Sequence, residues 1–300
     1  MTCSIFLATI VSTSEQCCKF VLNHPISKIS RMDKFSCLMS FYKKDNPKYF
    51  EDALESLHKQ TLKASEIVLI QDGEISGELE SIVIKWEKVL PIRRIINEEN
   101  LGLGYSLKLG LEACSEKIVA RMDADDIAHP KRFEMQLNYL KNNPQISVVG
   151  SWIAEFSAEL DNINTYRTLP SEPEVLYKFA KKRCPLNHPT VMYRKEDVLF
   201  VGSYDNFRFQ QDYHLWGRLL NSGFKIANIP TVLLFMRANN ELFGRRGGLE
   251  YFKNEVAVQK DFLKIGFISE VEYLRNYFIR GTVRVMPIIL RKYFYQHVLR

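Results

Sequence analysis

Four short apolar runs begin near residues 35, 66, 92 and 117, and each interval between them holds one stretch of helical spacing. This regular alternation constrains the fold more than any other feature of the chain. The runs are Phe35–Ser40, Glu66–Gln71, Ile92–Ile96 and Lys117–Met122. Between the first two, Phe50, Ala53, Leu54 and Leu57 recur at the period of a helix with one buried face. Leu79–Trp86 and Leu103–Cys114 read as helices in the next two gaps. A strand followed by a helix and another strand is the signature of βαβ units and a parallel sheet covered on both faces. Such sheets bind ligands at the carboxyl ends of their strands, so the residues just after each strand are the candidates for chemistry.

Past residue 145 the alternation loosens. Ile146–Ile153 and Val232–Met236 read as strands, and Glu172–Lys182 and Gln210–Asn221 as helices. Beyond Gly247 the chain turns helical and basic, with Arg275, Arg280, Arg284, Arg291, Lys292 and Arg300 among aromatic and aliphatic residues. That tail either packs on the rest of the chain or touches an anionic membrane surface; packing with partial membrane contact is expected. No stretch approaches the ~20 apolar residues that span a bilayer. At the other end, Ile5–Val11 is apolar but no Lys or Arg precedes it, unlike a secretory signal. Residues 1–33 are therefore expected to be an extension outside the fold. The catalytic unit is expected over 34–245 and a basic helical segment over 246–300.

The net charge of +6 suits anionic partners without choosing among them. The basic residues are spread out and no nucleic-acid recognition motif occurs, so no nucleic-acid partner is expected. None of the six cysteines forms a C-x-x-C pair, and they are read as free thiols of a reducing cytoplasm.

The sharpest local feature is Arg121-Met122-Asp123-Ala124-Asp125-Asp126, directly after the fourth strand. Clustered carboxylates repel one another and call for a counter-charge. Oxygen ligands on a short loop suit a hard cation, Mn²⁺ or Mg²⁺. The other reading is a solvated acidic loop that caps the next helix. Asp72, before Gly73 at the end of the second strand, is either a ligand contact or a turn residue. Asn100-Leu101-Gly102-Leu103-Gly104 lacks the third glycine of a dinucleotide fingerprint, since Leu107 stands there. It reads as a flexible helix start.

In this order the motifs resemble a family 2 glycosyltransferase of the GT-A fold. They are Leu38-Met39-Ser40-Phe41-Tyr42, Ser56 to Gln60-Thr61, Glu66 to Asp72-Gly73, Asn100-Leu101-Gly102 and the Asp123 cluster. Further on come Asn187-His188-Pro189 and Gln211-Asp212 through Arg218. Arg245-Arg246-Gly247-Gly248 and the basic tail are similar to a bacterial subgroup that builds exopolysaccharide and O-antigen repeats on lipid carriers.

The resemblance implies an α/β fold whose mostly parallel, Rossmann-like sheet is flanked by helices. It implies a nucleotide-sugar donor, with Asp72 on the uracil, Asp123 on the ribose, and Asp125, helped by Asp123, on the metal. Ser40, Asn100, Arg121, His188, Arg245 and Arg246 would contact the donor, and Asp212 would be the general base. For His188 a structural loop role stays open, for the Arg245–Arg246 pair a surface role, and for Asp212 a capping role. Two departures from the family pattern stand out: Gln211 replaces the usual Glu before the base, and Gln71 replaces the first Asp of Asp-Asp-Gly-Ser.

The activity implied is inverting transfer of galactose from UDP-galactose to an N-acetylhexosamine on undecaprenyl diphosphate. It would take place at the cytoplasmic face of the inner membrane. Transfer of glucose or N-acetylglucosamine is an alternative, as is a non-catalytic binding subunit. A nucleotidyltransferase would want a glycine-rich loop where Phe41–Pro47 stands.

Overall fold

The structure, a computed structural model, describes residues 34–157, 160, 162–237 and 248–285. The expected N-terminal extension and the Arg245–Arg246 pair lie outside them. The described residues belong to one compact unit.

The four expected strands are present as β1 (Ser36–Phe41), β2 (Glu66–Asp72), β3 (Ile92–Asn97) and β4 (Ile118–Met122). They pair in parallel in the order β3-β2-β1-β4. In β2 the six residues after Glu66 are all buried, as a strand covered on both faces requires. The connecting helices are α1 (Pro47–His58), α2 (Gly77–Glu87) and α3 (Leu103–Ala113). The start of α1 is fixed by Asn46, whose side chain accepts from the N–H of Tyr49 at 3.2 Å, and by Pro47 in the first turn. Leu107 and Leu111 of α3 are fully buried in one cluster with Leu38, Val68 and Ile70, each side chain contributing ~2 kcal/mol.

The second half departs from a mostly parallel sheet. β5 (Ile127–Ala128), β6 (Ile146–Phe156), β7 (Ile163–Arg167), β8 (Met192–Arg194) and β9 (Lys225–Arg237) complete a mixed sheet in the order β3-β2-β1-β4-β8-β6-β9-β5, with β7 on the edge of β6. β8 is antiparallel to both β4 and β6, and β6 runs parallel to β9. With only three residues, β8 shows no period in the sequence. The remaining helices are α4 (Arg132–Asn142), α5 (Pro173–Ala180), α6 (Lys195–Phe200), α7 (Gln211–Asn221), α8 (Leu249–Lys264) and α9 (Glu270–Val285). No helix of the described residues is long and apolar enough to cross a membrane.

Candidate active site

The Asp123 cluster follows β4 directly. Acceptor atoms of Asp123, Asp125 and Asp126 all lie within 4.8 Å of one another. Asp125 is exposed, Asp123 half-buried and Asp126 buried at 1% exposure. One oxygen of Asp126 accepts from the backbone N–H of Arg237 at 3.2 Å, and its Oδ2 is buried without a hydrogen-bond partner. Burial, with the charges of Asp125 and Asp123, drives the Asp126 carboxyl far above the usual carboxylate range. An orphaned carboxylate oxygen beside two further carboxylates fits a hard divalent cation. Asp126 thus joins the two carboxylates expected from the sequence.

Sequence reasoning also missed Asp45, in the loop after β1. Its carboxyl is pushed up to about 7 by burial, against the N–H of Tyr42, and also by the charges of Asp125 and Asp123. It therefore feels the charge of the same cluster. In the sequence it is one polar loop residue among several.

Arg121 is buried at 1% exposure and its guanidinium pairs with Asp123. It shapes the acidic loop from behind. The loop is anchored further by two polar residues of α4. Arg132, fully buried, donates to the carbonyl of Arg121 at 2.5 Å, and Gln136 donates to the carbonyls of Thr190 at 2.6 Å and Val149 at 3.2 Å. On the exit side, Ser56 accepts from the N–H of Ala128 at 3.1 Å, Gln60 donates to the carbonyl of His129 at 2.9 Å, and the N–H of Thr61 donates to the carbonyl of Pro130 at 2.8 Å. The Ser56, Gln60 and Thr61 motif therefore holds the acidic loop to the end of α1.

Asp72 ends β2 at 4% exposure. Its carboxylate accepts from the N–H groups of Leu101 and Gly102, each at 2.9 Å, and from Asn97 Nδ2 at 3.1 Å. These donors take three of about four lone-pair positions. Asn100 Nδ2 completes the tie by donating to the Asp72 carbonyl at 3.1 Å. Asp72 thus fixes the loop before α3, where Gly102 adopts φ +89°, a conformation that favours glycine. Asn100 itself is exposed, and Ser40 is half-buried at the carboxyl end of β1.

His188 opens a short 3₁₀ turn, His188–Thr190, and sits 9% exposed. Its Nε2 lies 3.1 Å from Tyr204 Oη, and its ring packs near Trp216. Burial, reinforced by the Arg121 charge, drives its pKa well below 6.5, so the imidazole is neutral at pH 7. Asp212 is the second residue of α7, half-buried, with Cys184 Sγ 3.7 Å from its Oδ2. It is not the helix cap, which is Gln210. Burial raises the Asp212 carboxyl above its ordinary range, against the N–H of Tyr213, the Arg121 charge and the Cys184 thiol. A carboxylate with a raised pKa is a stronger base. Arg121 therefore acts electrostatically on Asp123, His188 and Asp212 together.

A mixed sheet with an acidic loop after its fourth strand and a second carboxylate at a helix start defines a class. The chain belongs to glycosyl transferase family 2, whose family model matches residues 36–203. The Asp212 segment lies past that match. Over nearly their whole lengths, two curated relatives align as well. The amylovoran biosynthesis glycosyltransferase AmsE of Erwinia amylovora is 38% identical over 265 residues, 87% of this chain and 98% of that one. The UDP-Gal:alpha-D-GlcNAc-diphosphoundecaprenol beta-1,3-galactosyltransferase of Escherichia coli is 36% identical over 267 residues, 89% of this chain and 97% of that one. Among solved structures, S. aureus TarS 1–349 superposes with a TM-score of 0.63 at 14% identity, covering 89% of this chain and 75% of that one. The same protein in complex with UDP-GlcNAc gives 0.63 at 15% identity, covering 83% and 72%. The fold is GT-A.

Proposed function

We propose that the chain transfers galactose from UDP-galactose to an N-acetylhexosamine carried on undecaprenyl diphosphate, with inversion, in O-antigen, capsule or exopolysaccharide assembly. The observation that carries this reading is the near-full-length similarity to a relative whose name specifies that donor and a GlcNAc-diphosphoundecaprenol acceptor. In this reading Asp125, with Asp123 and Asp126, holds Mn²⁺ or Mg²⁺, which would neutralise the diphosphate of the departing nucleotide. Asp123 also meets the ribose. The loop fixed by Asp72 and Asn100 borders the base, together with Ser40.

Asp212 accepts the proton of the acceptor hydroxyl. That oxygen bonds to the anomeric carbon as the bond from carbon to the diphosphate oxygen breaks, and UDP leaves with the electron pair. Direct displacement of this kind needs one base rather than the carboxylate pair of a glycosidase. Neutral His188 faces the transfer site as a hydrogen-bonding group, and Arg121 holds Asp123 in place. An acceptor on a lipid brings the enzyme to the cytoplasmic face of the membrane. In support, Val271, Leu274 and Phe278 lie along one side of α9 at 77%, 53% and 67% exposure. Two basic residues of the tail, Arg280 and Arg284, instead turn inward to Glu255.

The test is a panel of UDP-galactose, UDP-glucose, UDP-GlcNAc and GDP-sugars with a synthetic N-acetylglucosamine diphospholipid acceptor. The product is read by mass spectrometry and NMR. A β1,3-galactosyl product is expected, whereas transfer from UDP-glucose alone overturns the donor assignment.

A further inference from the structure

Glu255 of α8 is a carboxylate buried at 1% exposure. Its oxygens accept from Arg284 Nε and Nη2, each at 2.7 Å, and from Arg280 Nη1 and Gln210 Nε2, each at 2.8 Å. Both arginines come from α9. Gln210 comes from the other direction: it is the residue from which α7 starts, and Asp212 stands two positions on.

Gln210 adopts φ 65° and ψ 23°, a left-handed conformation that a non-glycine residue takes only when its surroundings impose it. As the N-cap of α7 it makes no side-chain capping bond. Its carbonyl accepts from the N–H of His214 at 2.9 Å, and its side chain is given to Glu255. α7 and α8 also meet at a second point. His214 Nε2 lies 2.6 Å from Asp261 Oδ2, the Tyr213 and Phe262 rings pack edge to face, and the absence of a side chain at Gly217 admits the Phe262 ring.

We infer that Glu255 is a positioning residue for transfer: through Gln210 it fixes the first turn of α7 and so the direction of the Asp212 carboxylate. The α8–α9 hairpin is then part of the catalytic unit, although it lies beyond the matched family segment. A misplacement of about 1 Å at a reacting group can cost ~10²-fold in rate, so a buried, four-donor anchor close to the base has a clear physical use. The inference rests on Asp212 being the base.

The experiment compares Gln210→Gly, Glu255→Gln and Asp212→Asn with the wild type in the transfer assay, with melting temperatures alongside. Gln210→Gly keeps the left-handed backbone accessible and removes only the tie to Glu255, so it folds even if loss of the Glu255 charge proves disruptive. Gln210→Gly is expected to lower kcat about tenfold or more, with donor KM within about twofold. The acid limb of its kcat–pH profile should move, because the surroundings of Asp212 change. A purely structural tie would lower the melting temperature and leave both readings unchanged well below it. Wild-type kcat and pH profile in Gln210→Gly, with Asp212→Asn inactive, overturn this inference alone. Wild-type turnover in Asp212→Asn overturns the base assignment and this inference with it.

Discussion

Arg132 Nη2 donates to the carbonyl oxygen of Arg121 at 2.5 Å, from a side chain with no exposed surface. Through this bond the first turn of α4 holds the root of the loop that carries Asp123, Asp125 and Asp126. The same side chain is held by Gln136, whose Oε1 accepts from Arg132 Nε at 3.1 Å. Burial lowers its pKa to about 10, which leaves it charged at neutral pH.

Arg132→Lys should therefore destabilise the fold even though charge is kept. A lysine ammonium cannot span the carbonyl and the Gln136 amide as the planar guanidinium does. Loss of a buried hydrogen bond of this kind costs about 2 kcal/mol. A urea denaturation midpoint equal to that of the wild type would show that the anchor is idle.

His188 supplies a pH signature. Its folded pKa lies well below 6.5, because of burial and then the Arg121 charge. As pH falls below ~6.5 the unfolded chain takes up a proton that folded His188 refuses, so stability drops with falling pH until the folded pKa is reached. Each pH unit in that window costs up to ~1.4 kcal/mol. His188→Gln keeps a group able to hydrogen-bond with Tyr204 but does not titrate. Denaturation curves between about pH 5 and 7 should fall more steeply for the wild type than for the variant. Parallel dependence would mean that His188 is solvated.

Much of this was legible in the sequence because it follows from period and type. The four parallel strands showed as apolar runs at regular spacing, and the acidic loop followed from three carboxylates placed after a strand. The tail was expected to be helical, and its described residues form α8 and α9, with Arg291, Lys292 and Arg300 outside them. What stayed hidden depends on where polar side chains point. Arg132 and Gln136, four residues apart on α4, are polar and carry no apolar signal, yet both are fully buried. Arg280 and Arg284 belong to the basic tail expected to pack with partial membrane contact, and Glu255 draws both inward. Asp72 read evenly as turn or ligand contact, and the bonds its carboxylate accepts from Leu101, Gly102 and Asn97 show only in three dimensions. β8 is too short to show a period.

The most direct measurement of metal-assisted transfer is sugar transfer to the diphospholipid acceptor by the wild type and Asp125→Ala, each with Mn²⁺, with Mg²⁺ and in excess EDTA. Neutralising the leaving diphosphate is worth several kcal/mol, so its loss should cost at least ~10²-fold in rate. The wild type should fall silent in EDTA and recover when Mn²⁺ or Mg²⁺ is restored. Asp125→Ala should be inactive under all three conditions with an unchanged melting temperature, since Asp125 is exposed. Full turnover by the wild type in excess EDTA, or by Asp125→Ala with either metal, would contradict the assignment of the cluster as a metal site.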